Sequence, residues 1–149
     1  VYHMLIDADL SVVRRSDVLD AGLNPIAASI DAQVLLGDSL GEMYFYLSLA
    51  DRVVIGGGFC SKGSHNIIET LQIGKPVAVG PNIATVEYPG VEAIADRVCA
   101  HLHTSQDLIA YCDPNTAPTG TAPMRQAFLD RHSGAVDKTL TVLRDRDLI

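Results

Sequence analysis

Tryptophan is absent from this 149-residue chain, and the aromatic residues together make up only 5% of it. So sparse a set offers no row of stacking platforms for single-stranded nucleic acid. Positive charge is also scarce. Eleven Lys and Arg stand against 18 Asp and Glu, for a formal net charge of -7, which disfavours a nucleic-acid backbone as partner. Cysteine is confined to Cys60, Cys99 and Cys112. An odd number with no C-x-x-C spacing argues against a disulfide framework and against a zinc site, so reduced thiols and no bound metal are expected. No apolar run approaches the roughly 18 residues of a membrane span. The chain opens on Val1-Tyr2-His3 rather than an initiator Met, and reads as entry into the middle of a longer, ordered protein.

What is present is a hydrophobic fraction of 48%, enough for the core of one domain over residues 1–149. Short apolar runs alternate with helical spacing. Leu10–Arg14, Ala32–Leu36, Arg52–Ile55, Pro76–Val79 and Val98–Leu102 read as strands. Helices are predicted from the cap types Asp38 and Ser39 to about Ala50, from His65 to Ile73, over Val91–Ala95, and after Thr104 or Ser105. A terminal helix is predicted over Met124–Leu143, and Arg15–Ile30 and Asp113–Pro123 read as loops. Strand–helix alternation with nearly all-apolar strands predicts an α/β, Rossmann-like, three-layer parallel sheet.

Ligands of such sheets bind at the carboxyl ends of strands. Three of those ends carry unusual residues. Gly37-Asp38-Ser39-Leu40-Gly41-Glu42 combines two carboxylates, a hydroxyl and glycines at a helix start, where main-chain amides of Ser39, Leu40 and Gly41 could meet an anion. An ordinary capped turn would need the same residues. Gly56-Gly57-Gly58 permits positive φ or close approach, yet it is neither a dinucleotide fingerprint nor a P-loop. Lys62-Gly63-Ser64-His65-Asn66-Ile67-Ile68-Glu69 leads into a helix. Glu69 could accept the two hydroxyls of a ribose, or it could be simply the acidic first-turn residue of a capped helix.

Taken together and in this order, these stretches resemble the 3-deoxy-D-manno-octulosonic acid (Kdo) transferases. Gly37–Met43 matches that family's Gly-Asp-(Thr/Ser)-x-Gly-Glu-(Leu/Met) run, and Ala50-Asp51 its Ala-Asp before a strand. Gly63–Glu69 matches Gly-Gly-His-Asn-x-x-Glu, with Ser64 for the second Gly and Ile67 where Pro is usual. Gly74–Pro81 matches Gly-x-Pro-Val-x-x-Gly-Pro. The family's His-Thr-x-Asn-Phe continuation is replaced by Asn82-Ile83-Ala84-Thr85-Val86.

The resemblance implies one half of a GT-B two-domain glycosyltransferase, the half that binds the donor CMP-Kdo. By position, Ser39, Leu40, Gly41 and Glu42 and then Asn66, Ile67, Ile68 and Glu69 would contact the nucleotide. Gly58, Gly63, Ser64 and His65 would lie near the donor phosphate or sugar. The resemblance implies no cofactor. It places the catalytic base, the lipid A precursor acceptor and any membrane contact on an N-terminal domain outside this chain, at the cytoplasmic face of a bacterial inner membrane. A UDP-sugar GT-B or epimerase-type domain shares the helix-borne Glu and the Gly-x-Pro-Val strand. A non-catalytic nucleotide-binding or interaction module fits the altered stretch after Gly80.

Overall fold

A computed structural model describes residues 1–27 and 29–148. Ala28, within the segment read as a loop, and Ile149, at the end of the expected domain, lie outside the described residues. The chain divides into two compact units, Val1–Met43 and Tyr44–Ile149.

In the first unit, helix α1 (Tyr2–Asp7) leads into strand β1 (Val12–Arg14), helix α2 (Arg15–Val18) and strand β2 (Val34–Leu36). The two strands pair in parallel, Val12 opposite Val34 and Arg14 opposite Leu36. Ser11 and Gln33 anchor that register. Ser11 N–H donates to Gln33 Oε1 at 3.0 Å, and Gln33 N–H donates to Ser11 Oγ at 2.9 Å. The segment expected to be loop from Arg15 instead opens as α2. The reason is the buried Arg15 side chain, whose guanidinium donates to the main-chain oxygens of Leu19 at 3.1 Å and Asp20 at 2.8 Å and so closes the turn on itself.

Helix α3 (Met43–Leu49) starts later than the predicted Ser39. Gly41 has φ +83°, a left-handed value that no α-helical turn contains, so the helix cannot begin before it.

The second unit carries strand β3 (Val53–Val54), helix α4 (Ile68–Gln72), strand β4 (Val77–Val79), helix α5 (Glu87–Ala95), strand β5 (Cys99–His101) and helices α6 (Ser105–Cys112), α7 (Ala122–His132) and α8 (Ala135–Asp145). Its three strands form a parallel sheet in the order β3-β4-β5. Register explains how one sheet feeds two cores. Val54, Ala78 and Ala100 lie side by side, and pack with Leu102, Leu108 and Tyr111 under α6. The alternate residues Val77, Val79 and Cys99 face Ile67, Leu71, Ala93 and Phe128 of the α4, α5 and α7 side. Period-two alternation thus buries both faces, and Val77, Ala78 and Val79 are all fully covered. The expected parallel α/β layering is present, with β1 and β2 in one sheet and the remaining strands in another.

Thr104 caps α6 in a capping box with Asp107, as its position predicts. Two further expectations need correction. The helix predicted from His65 starts at Ile68. Asn66 Oδ1 accepts the Ile68 N–H at 2.9 Å, which folds Asn66 into a local turn ahead of the helix. The single terminal helix is two, broken at Ser133 and at Gly134, which has φ +76°. The first of them is capped by Thr121 and reaches back to Ala122, into the segment read as loop.

Burial pushes the Cys99 thiol up to about 12, so it stays protonated and unreactive at neutral pH. A thiol reagent applied to the native protein should therefore label the exposed Cys60 and Cys112 and reach Cys99 only after denaturation. Mass spectrometry of the labelled peptides checks this.

Candidate functional site

The loop after β3 and the loop after β4 touch through glycine. A Cβ on Gly58 would come within 2.4 Å of Ser64 Oγ and 2.6 Å of the Gly80 nitrogen. A Cβ on Gly80 would meet the Gly58 carbonyl carbon at 2.5 Å. Gly57, at φ +90°, is held as closely against the Gly63 carbonyl, where a side chain would sit 2.1 Å from oxygen. Gly57 and Gly58 of the triple glycine are therefore required by backbone packing. Asn82 then ties the loops. Its N–H donates to Gly58 O at 2.9 Å, its Nδ2 to Cys60 O at 3.0 Å, and its own carbonyl accepts Ser64 N–H at 3.0 Å and Ser64 Oγ at 3.1 Å. The Thr85 hydroxyl donates to the Ser64 carbonyl.

Beside this cage lies a cavity of about 290 Å³ lined by Ser64, His65, Asn66, Thr85, Tyr88 and neighbouring residues. Ser64 is buried with its hydroxyl spent on Asn82, whereas His65 and Asn66 are exposed. With Asn66 Oδ1 occupied by Ile68 N–H, its Nδ2 is the end left to donate to a ligand. Glu69, half-buried, sits in the first turn of α4. Ile67 has its side chain wholly in the core, so only its main chain could meet a ligand. Ile68 is half-buried and packs against the same core. Gly58 and Gly63 are buried in the loop cage.

The other stretch belongs to the first unit. Asp38 accepts from Ser16, N–H to Oδ1 at 3.0 Å and Oγ to Oδ2 at 2.6 Å. Those bonds, the hydroxyl's foremost, hold the Asp38 carboxyl below its ordinary value. The Glu42 carboxylate forms a bidentate pair with Arg15, Nε to Oε2 at 2.8 Å and the second nitrogen to Oε1, and also accepts from the Ser39 hydroxyl. Between these ties Leu40 is 99% exposed. Neither Asp38 nor Ser39 caps a helix, so the capped-turn reading of this stretch fails on the same Gly41 geometry that delays α3.

Arg15, Asn82 and Thr85 are the participants that sequence reasoning missed. Arg15 left one faint sign, since two carboxylates in a single short loop call for a cation. Among the described residues, no group of three or more His, Cys, Asp or Glu side chains could hold a metal ion. No described helix is long and apolar enough to cross a membrane.

No protein-family model matches the chain. Curated proteins and solved structures do. A 3-deoxy-D-manno-octulosonic acid transferase of Bordetella pertussis is 34% identical over 142 residues, 93% of this chain. The chain is a relative of the Kdo transferases. It spans 32% of the length of that Bordetella protein. A Haemophilus influenzae Kdo transferase is 34% identical over 61 residues, 41% of this chain and 14% of that protein. Among solved structures, the C-terminal CMP-Kdo binding domain of WaaA from Acinetobacter baumannii matches with a TM-score of 0.62 and 28% identity, covering 72% of this chain and 53% of that one. The resemblance read from the motifs and the likeness of fold thus agree. Of the ties at Asn82, those to Gly58 and Ser64 run through its main chain, and its side chain adds the bond from Nδ2 to Cys60 O and the one that Oδ1 accepts from Ala84 N–H.

Gly58→Ala should destabilise the protein by about 1–3 kcal/mol through overpacking. Gly56→Ala, with open space at its Cβ, should leave stability within about 1 kcal/mol of the parent. Denaturant unfolding of both variants tests the loop cage.

In an NMR titration Asp38 should titrate below 3.8. A folded value below the unfolded one means that its contribution to stability is present above that range and fades as pH falls through the folded value. Ser16→Ala should return the Asp38 midpoint toward 3.8.

Proposed function

We propose that this chain is the donor-binding part of a Kdo transferase and binds CMP-Kdo through its cytidine nucleotide. The observation that carries this reading is the match to a domain described as binding CMP-Kdo, on a chain that holds both motif stretches in order. In this reading His65 and Asn66 face the phosphate and sugar from the cavity beside the glycine cage, and Glu69 accepts ribose hydroxyls. By their place in the first motif, Leu40 and Gly41 are proposed as nucleotide contacts as well.

Transfer breaks the bond between the Kdo anomeric carbon and the phosphate oxygen. It forms one from that carbon to an acceptor hydroxyl, whose proton passes to a base. CMP leaves as an anion, and fixed donors around the phosphate are what lower that barrier. The sequence-based expectation assigned this to helix N-termini. With α4 only five residues long and starting at Ile68, the loop donors Asn66 Nδ2 and His65 are the better candidates. The base and a lipid A precursor acceptor belong, on this proposal, to the remainder of a longer enzyme at the inner membrane. The 149-residue chain binds nucleotide without turning it over.

Calorimetry with CMP, UMP and GMP tests the proposal. CMP should bind most tightly, and Glu69→Gln should weaken it roughly tenfold by removing a charged acceptor. Absence of binding, or equal binding of all three nucleotides, would refute it.

A further inference from the structure

We infer that Arg15 is a positioning residue for nucleotide recognition: resting on the nucleotide-binding reading above, it holds the Glu42 carboxylate so that the Leu40–Gly41 tip, rather than that carboxylate, meets the ligand. Arg15 is 6% exposed, and the Glu42 side chain is 14% exposed. The guanidinium grips the carboxylate with two nitrogens and spends further N–H groups on the Leu19 and Asp20 carbonyls. Ser39 donates to the same carboxylate. A carboxylate has about four lone-pair sites, and this one is largely committed within the protein. Burying such a pair brings little net stability, because desolvation offsets the attraction. What a planar, bidentate fork does supply is fixed geometry.

A second strut runs parallel to the first. Asp38 is held by Ser16, the residue next to Arg15. The arch Ser39–Gly41 is thereby fastened at both feet to consecutive residues. One exposed Leu is ordinary on a protein surface. Here it tops an arch that is tied on either side, beside a glycine at φ +83° whose missing Cβ would face open space. Main-chain groups and one apolar side chain are held out for a flat or sugar-like ligand, and the acidic residue of the motif acts from behind them.

The test compares the isotope-labelled wild-type chain with Arg15→Lys, Glu42→Gln and the double variant, each first checked for a cooperative thermal transition. Arg15→Lys keeps the charge and loses the fork, so it guards against simple failure to fold. The amide resonances of Ser39, Leu40 and Gly41 should move in both single variants, while those of Cys99–His101 stay in place. CMP affinity should fall roughly tenfold in each single variant and no further in the double, since both changes release the same strut. Loop resonances at wild-type positions in Arg15→Lys would overturn the inference. So would additive losses of affinity, which would mean that Glu42 touches the nucleotide directly. A wild-type chain that binds no CMP overturns the nucleotide reading instead, and the loop resonances still decide whether Arg15 holds the arch.

Discussion

The second unit turns on the contact of Gly58 with Gly80. Parallel pairing of β3 and β4 brings Val54 opposite Ala78, so the chain leaves both strands at the same edge of the sheet. Two backbones can then approach only if neither carries a Cβ. Once they do, Asn82 N–H reaches Gly58 O, and Ser64 reaches Asn82. The strand ends become a cage of main-chain bonds rather than two independent turns. His65 and Asn66 emerge from that cage on its exposed side.

The polar residues of the motifs fall into two kinds. Some are consumed by the scaffold. Ser64 and Thr85 bond to main-chain carbonyls, Asp38 holds Ser16, and Glu42 holds Arg15. Others are turned outward, as are His65, Asn66 and the main chain at Leu40. A motif string gives both kinds equal weight. In a chain of net charge -7, each of these two carboxylates is held by a partner of its own. Arg15 pairs its charge with Glu42, whereas the Ser16 donors stabilise the charged form of Asp38 without cancelling it.

Much of this was legible in residue order. Val77-Ala78-Val79 announced a strand covered on both faces, because no polar residue interrupts it. Thr104 or Ser105 announced the start of α6, and the structure gives the cap to Thr104. The ordered set of Gly37–Glu42, Gly63–Glu69 and Gly74–Pro81 announced the family. What failed were helix boundaries at glycine and asparagine. Gly41, Asn66 and Gly134 each fit a helical spacing by neighbourhood, and each is excluded from a helix by its own backbone angle or side-chain bond.

The sequence by itself determined the alternation of elements, the identity of the strands and the likeness to Kdo transferases, because periodicity and motif spacing are properties of neighbours along the chain. Only the tertiary structure decided that Gly58 answers to Gly80, that Asn82 ties two loops, and that Arg15 claims Glu42. Those pairs are far apart in sequence, and nothing local marks one glycine, asparagine or arginine as the partner of another until the fold of each unit brings its own loops together.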